Sequence, residues 1–312
     1  MQSGGIEERE NRFPFLLATM KGISQVLLIE NWITGLLILS AITVTSFKLG
    51  LIAFLSAAIG TLFGQVGGGN PSSVERGLFG YNPTLTGMAL FLYLEGPANW
   101  GIALFGAVIA AAFTASVMRF LQPAGMPTLT FPYIITTWLI MLSSYRFEAF
   151  ALTDEIVPQS LSHWKLESAG EIQWLNAFLD GAGQIFFLQG IVAGLLLFLG
   201  IFIANWQMGL YALAGNFIGM FTAYILGGEH TLIDAGLYGY NAILTALAVG
   251  VVFRAGPNRI SLFIAIIACV LTVVIIGSVD TVLLPYGLPA LTMPFALSTS
   301  IFIGARMMMR HA

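Results

Sequence analysis

Gly77-Leu78-Phe79-Gly80-Tyr81-Asn82-Pro83-Thr84-Leu85-Thr86 returns 159 residues later as Gly236-Leu237-Tyr238-Gly239-Tyr240-Asn241-Ala242-Ile243-Leu244-Thr245. A second pair stands at an offset of 162: Gly125-Met126-Pro127-Thr128-Leu129-Thr130-Phe131-Pro132-Tyr133 and Gly287-Leu288-Pro289-Ala290-Leu291-Thr292-Met293-Pro294-Phe295. At 159 again, Gly22-Ile23-Ser24-Gln25 matches Gly181-Ala182-Gly183-Gln184. Three blocks in the same order at nearly one offset mark an internal duplication.

The rest of the chain says what is duplicated. Of 312 residues, 57% are hydrophobic and 9% charged, with a mean hydropathy of +0.88. Soluble domains carry about a quarter charged residues. The composition excludes a secreted disulfide scaffold, a nucleic-acid binder and a disordered chain, and predicts one all-α polytopic membrane domain. Apolar runs fall at 14–45 (broken near Glu30-Asn31), 49–66, 83–94, 100–121 and 129–143, and again at 177–204, 208–226, 241–253, 259–279 and 287–303. The first repeat is thus 14–145, a polar linker is 146–176, and the second repeat is 177–305. The polar start, Met1 to Phe13, lacks the pattern of a signal peptide.

Five runs per half is an odd number, so the second half is expected to enter from the opposite face, giving two inverted-topology repeats. About five membrane-crossing helices are expected in each, plus half-membrane segments around a central pore. With a cytoplasmic N-terminus, nine cations (Arg9, Arg12, Lys21, Arg76, Arg119, Arg254, Arg259, Arg306, Arg310) face the cytoplasm. Three (Lys48, Arg146, Lys165) face outward. Positive charge favours the cytoplasmic side, which predicts cytoplasmic termini and an external linker.

The runs at 83–94 and 241–253 are short for a crossing and sit at matched places, a pointer to a midplane site. Pro127, Pro132, Pro289 and Pro294 lack a backbone N–H and free nearby carbonyls. Two readings stand: kinked helices repaired by neighbours, or carbonyls lining a polar pathway. Gln25 and Gln184 read either as amide glue between helices or as binding side chains. Thr130 and Thr292 sit between the prolines, with hydroxyls that can bond back to their own helix or face a pore. Asn82 and Asn241 open the short segments and read as N-caps.

The runs hold almost no interior ionisable residue; Glu30, Glu95, Glu229 and Asp280 fall near run ends. Intramembrane charges mark proton and ion relays. His163, His230 and His311 lie in loops or the tail, and no phosphate-binding loop or hydrolytic constellation is present. One cysteine, Cys269, makes neither an internal disulfide nor a Cys-based metal site. The chain is therefore not expected to be an enzyme or to need a cofactor. Burying an uncompensated amide costs roughly 2–7 kcal/mol, so a passage for a small neutral polar solute needs a row of acceptors. Carbonyls, Gln oxygens and Thr hydroxyls supply them, and Tyr81, Tyr240 and Phe187 are flat enough to wall a planar solute.

Leu288-Pro289-Ala290-Leu291-Thr292-Met293-Pro294-Phe295 fits the Leu-Pro-x-x-Thr-x-Pro-Phe pattern of the urea transporter family; the first copy departs at Met126 and Tyr133. The Gly-Tyr-Asn blocks at 80–82 and 239–241 resemble that family too, and the resemblance covers about residues 20–305. It implies a urea channel of the bacterial kind in the cell (inner) membrane, in contact with lipid, typically a homotrimer with one pore per protomer and no nucleic-acid partner. By the same resemblance, Gln25 and Gln184 bind urea near the two ends of the filter, beside Val26 and Ile185. Tyr81, Leu85, Tyr240 and Leu244 form the walls, and Thr130 and Thr292 stand mid-pore. Leu28 replaces the aromatic that relatives often carry, against Phe187 in the second half, which makes the first urea slot the looser. A pathway or coupled carrier for short amides, water or ammonia is the alternative.

Overall fold

The computed structural model describes residues 4–147, 150–154, 156–166, 168–254 and 259–311. The side chains of residues 4–13, 259 and 309–311 lie outside that description, among them the cations at Arg9, Arg12, Arg259 and Arg310. Glu148, Glu155 and Glu167 lie outside it as well.

The apolar runs fold as helices because a backbone removed from water must pair its own N–H and C=O groups. The first half runs α1 (Gly4–Ser24), α2 (Trp32–Thr45), α3 (Phe47–Val66), α4 (Pro71–Glu75), α5 (Tyr81–Tyr93), α6 (Asn99–Leu121) and α7 (Phe131–Ser143). The second runs α8 (Trp174–Gly183), α9 (Ile191–Ala204), α10 (Trp206–Ile225), α11 (His230–Asp234), α12 (Gly239–Leu247), α13 (Arg259–Leu283) and α14 (Met293–His311). The order of long, short and broken helices is the same in both halves. Polar side chains set the starts: Asn31 accepts from the N–H groups of Ile33 and Thr34, Ser46 from Leu49, and Asn205 from Gln207 and Met208.

Ten crossings are expected, and not all of the helices are long and unbroken. By length and composition, four helices among the described residues are long and apolar enough to cross a membrane: α3, α6, α10 and α13, the second and fourth extended by a short turn. Two bent pairs, α1–α2 at 77° and α8–α9 at 70°, raise the count to at most six. The helices α5 and α7 have 13 residues each, about 20 Å of rise against a hydrocarbon core of roughly 30 Å.

The bends are built alike. After α1 a turn of 3-10 helix (Gln25–Leu27) leads to Leu28 in the left-handed region, φ 59°; after α8 the turn Gln184–Phe186 leads to Phe187, also at 59°. Leu28 N–H donates to Gln25 O and Ile29 N–H to Ser24 O; Phe187 N–H and Leu188 N–H donate to Gln184 O and Gly183 O. This is a Schellman ending with a bulky residue where glycine is usual.

Glycines bring the broken ends against their neighbours. A Cβ on Gly77, whose φ is 79°, would lie 2.4 Å from Gly22 N, and one on Gly236 (φ 74°) would lie 2.3 Å from Gly181 N. The end of α1 is thus pressed on the α4–α5 junction, and the end of α8 on the α11–α12 junction.

The described residues of the polar segment pack over one end of the bundle. The strand β1 (Leu94–Glu95) pairs antiparallel with β2 (Ala151–Leu152). Thr153 N–H donates to Tyr93 O at 3.0 Å and Gln159 N–H to Leu284 O at 3.0 Å. Tyr145 Oη donates to Tyr286 O at 2.8 Å, and Gln173 N–H to an Asp234 carboxylate oxygen at 2.8 Å. At the other end, Met307 of α14 lies beside Gly125, in the turn before α7. Between the halves, α2 packs on α9, where Thr34 Oγ1 donates to Gly200 O at 2.9 Å.

Gly77→Ala and Gly236→Ala are expected to lower the thermal midpoint of the detergent-solubilised protein clearly, through left-handed strain of about 1–2 kcal/mol together with the backbone clash. Gly101→Ala, in α6 with nothing within 4 Å of its Cβ position, is expected to leave the midpoint unchanged or raise it. Equal midpoints for all three, read by size exclusion after heating, would contradict the close-approach argument.

Candidate functional site

The site grows from four backbone positions. Among the described residues, non-glycine residues with positive φ are Leu28 (59°), Leu129 (48°), Phe187 (59°) and Leu291 (53°). Left-handed backbone costs an ordinary residue roughly 1–2 kcal/mol, and such outliers cluster where function holds them. They form two matched pairs, and each is a predicted site residue or adjoins one.

Leu129 and Leu291 precede Thr130 and Thr292, which start α7 and α14. Pro132 and Pro294 sit in the second positions of these helices, where the missing N–H costs nothing. Pro127 and Pro289 lie in the non-helical stretches before them. The prolines therefore start helices rather than kink them, and three carbonyls of the two frames are already paired. Leu129 O accepts from Tyr81 Oη at 2.8 Å and from Asn82 Nδ2 at 3.3 Å. Leu291 O accepts from Tyr240 Oη and from Asn241 Nδ2 at 3.1 Å. Pro289 O accepts from Trp138 Nε1 at 2.9 Å.

Asn82 and Asn241 are not caps of their own helices, as their place in the sequence predicted. Each lies just inside the helix start, fully buried, and caps a different helix. Tyr133 N–H donates to Asn82 Oδ1 at 3.3 Å, and Phe295 N–H to Asn241 Oδ1 at 3.2 Å. These are early N–H groups of α7 and α14, otherwise without a partner.

The threonines meet. Thr292 Oγ1 donates to Thr130 Oγ1 at 2.7 Å, both buried, 162 residues apart in sequence. Neither hydroxyl bonds back to its own helix among the described residues. The pair keeps the Thr130 hydroxyl proton and lone pairs on both oxygens for a further partner.

Gln25 and Gln184 are held by their amide nitrogens. Gln25 Nε2 donates to Arg76 O at 2.8 Å, and Gln184 Nε2 to Ala235 O at 3.0 Å. Among the described residues no donor reaches either Oε1, so both oxygens remain available as acceptors. Beside them lie the last-turn carbonyls of Val26, Leu27, Ile185 and Phe186, which no backbone donor among the described residues reaches beyond the bend. The carbonyls left over beside the glutamines are thus those of helix ends. Val26, Ile185, Leu85 and Leu244 are buried beside these groups, and Leu28, Phe187 and Tyr240 half-buried.

The hydrogen bonds recur in matched order about the threonine pair: Gln25 to the residue before Gly77, Tyr81 and Asn82 to Leu129, Thr130 to Thr292, Leu291 to Tyr240 and Asn241, and Ala235 to Gln184.

The halves differ around this frame. Phe187 meets Tyr93 edge-on, with ring centroids 5.9 Å apart; at the matched places stand Leu28 and Val252. Glu30 bridges Lys21 (3.3 Å) and Arg76 (2.9 Å) near Gln25, whereas Asp180 and Gln189 stand at the places of Lys21 and Glu30 in the second half. A cavity of about 550 Å³ opens beside Tyr240, between Trp164 of the cover and Pro289-Ala290; Glu229 and Asp280 face it. Asp280 thus lines this cavity together with Tyr240. Asn216, with Ala57 at its matched place, donates through Nδ2 to Phe178 O at 2.6 Å and wedges its Oδ1 between Gly181 and Gly239. Tyr93, Trp138 and Asn216 carried no signal in the sequence, because none repeats. Among the described residues no group of His, Cys, Asp or Glu is placed to hold a metal ion.

The chain matches the family model described as urea transporter over residues 16–307. It is similar to Urea transporter 1 of Ovis aries and of Capra hircus, 26% identical to each over 304 residues, which covers 96% of this chain and 79% of the relative. It is 25% identical over 290 residues to Urea transporter 1 of Rattus norvegicus, covering 91% of this chain and 75% of the relative. The matched span includes both proline frames, both Gly-Tyr-Asn blocks and both glutamines: the chain belongs to the urea transporter family.

Proposed function

We propose that this transport protein is a passive channel for urea, with two inverted halves enclosing one narrow pathway through each protomer. Family membership carries the transport function. The observation that carries the pathway is the threonine bond with its matched surroundings. Thr130 pairs with Thr292, while Tyr145 beyond α7 reaches Tyr286 and Met307 of α14 reaches Gly125. Two helices that start together and run to opposite ends support an inverted relation between the halves.

In this reading urea enters between the half-buried rings and the aliphatic residues Val26, Leu85, Ile185 and Leu244. It donates its N–H groups to Gln Oε1, to the end carbonyls at 26–27 and 185–186, and at midplane to the threonine oxygens. Its carbonyl accepts the Thr130 hydroxyl proton. Each contact offsets part of the dehydration cost, about 1–3 kcal/mol for an unmatched polar group. The mouth with Phe187 and Tyr93 is the tighter slot, and that with Leu28 the looser. By the resemblance, the protein is a homotrimer in the cell membrane; the cation split supports cytoplasmic termini and an outward cover.

One observation favours an ion-coupled carrier as the second reading: Asp280 and Glu229 facing the cavity beside Tyr240. Stopped-flow urea flux in proteoliposomes separates the two. A channel equilibrates urea faster than empty liposomes, generates no urea-evoked current, and is unaffected when ion gradients are collapsed. Urea accumulation above equilibrium would sink the channel reading, and absence of urea flux would sink both. In the same assay Gln25→Ala and Gln184→Ala are expected to weaken urea affinity per folded protein. A lowered thermal midpoint with unchanged affinity would mean that the glutamines serve only as helix glue.

Orientation has its own check. Cysteines introduced at Ser3 and Ser168 are expected to react with a membrane-impermeant thiol reagent from opposite faces, since native Cys269 is buried. Access to both from one face would contradict the assigned topology.

A further inference from the structure

We infer that Asn82 and Asn241 are positioning residues for the pathway: each carboxamide clamps a left-handed leucine turn so that the two mid-pore threonines meet at a fixed separation, and this sets which planar amides pass. The inference rests on the channel reading above.

The geometry is matched in both halves. One carboxamide performs two opposite tasks on one short stretch: its Nδ2 holds the carbonyl before the threonine, and its Oδ1 holds the N–H three residues after it. The residue between, Thr130 or Thr292, is fixed from both sides. The N-cap residues of α5, α7 and α12, which are Gly80, Thr130 and Tyr238, make no side-chain cap bond of their own. The clamp therefore comes from a neighbouring helix. An amide suits both tasks at once, since it carries a donor and an acceptor on a planar group. Both asparagines are fully buried, and both ends of each carboxamide are engaged by backbone groups.

The chemical consequence is on selectivity. The leucines at φ 48° and 53° relax toward ordinary backbone if their carbonyls are released, and the first turns of α7 and α14 move with them. The 2.7 Å threonine contact then lengthens and the middle of the pathway widens. A wider middle loses grip on urea and admits a bulkier amide. A purely structural role lowers the amount of folded protein and scales every flux alike.

The test is the ratio of N-methylurea to urea permeability in proteoliposomes, per folded protein, for wild type, Asn82→Leu and Asn241→Leu. Leucine keeps the branched outline, at a larger volume, and removes both bonds. The ratio is expected to rise by about threefold or more, with a larger change for the double variant. Tyr81→Phe and Tyr240→Phe remove the second donor from the same carbonyls and keep the ring; they are expected to shift the ratio the same way by less, and they read the clamp if the leucine variants do not fold. An unchanged ratio in every folded variant, with wild type conducting urea, would overturn this inference and leave the channel reading intact. A wild type that conducts no urea would overturn both.

Discussion

The carbonyls of Leu129 and Leu291 govern the rest of the structure. Each sits in a left-handed turn inside the protein, where an unpaired carbonyl costs about 1–3 kcal/mol. Each is met by a tyrosine hydroxyl and an asparagine amide from the start of a short helix. Satisfying them requires α5 against the head of α7 and α12 against the head of α14. That requirement in turn places two buried threonines in contact at the centre. The close glycine crossings extend the same logic outward, seating the broken ends of α1 and α8, and with them Gln25 and Gln184, against the same short helices.

A solute stripped of water needs partners that the protein has not already used. The frame separates the two classes of polar group. The carbonyls at 129, 289 and 291 and the amide nitrogens of Gln25 and Gln184 are spent on holding the architecture. The glutamine oxygens, the end carbonyls after the bends and the threonine pair are left over. Apart from the glutamines, the leftover groups are helix ends and hydroxyls, uncharged and short, suited to a neutral solute with several donors. The mouths add asymmetry. One carries the Glu30 ion-pair network and Leu28, the other an aromatic pair and a covered cavity with two carboxylates.

Much of this was legible in the sequence for a physical reason: repetition. Gln25 and Gln184, Tyr81 and Tyr240, and Thr130 and Thr292 recur in one order, and the structure places each pair in equivalent surroundings. The membrane class followed from composition alone. The division of polar work was not legible. Asn82 at a helix start looks like a local cap, yet its bonds run to residues about fifty positions away, and no local rule sees that distance. The prolines looked like kinks because sequence shows a missing N–H but not that it falls in a first turn. Tyr93, Trp138 and Asn216 have no counterpart at the matched place of the other half, so the duplication that exposed the other residues concealed these.

The central claim is that the two threonine hydroxyls meet on the path of the solute, and urea flux through Thr130→Val, Thr292→Val and the double variant tests it most directly. Valine keeps the shape and removes the hydroxyl, so the proteins should fold as wild type. The account predicts slower urea flux, roughly tenfold if one contact of about 1.4 kcal/mol is lost at the barrier, or weaker urea affinity if the pair is a binding well. A double variant that matches wild type in both flux and affinity would contradict it, and would make the threonine bond a structural rivet away from the solute.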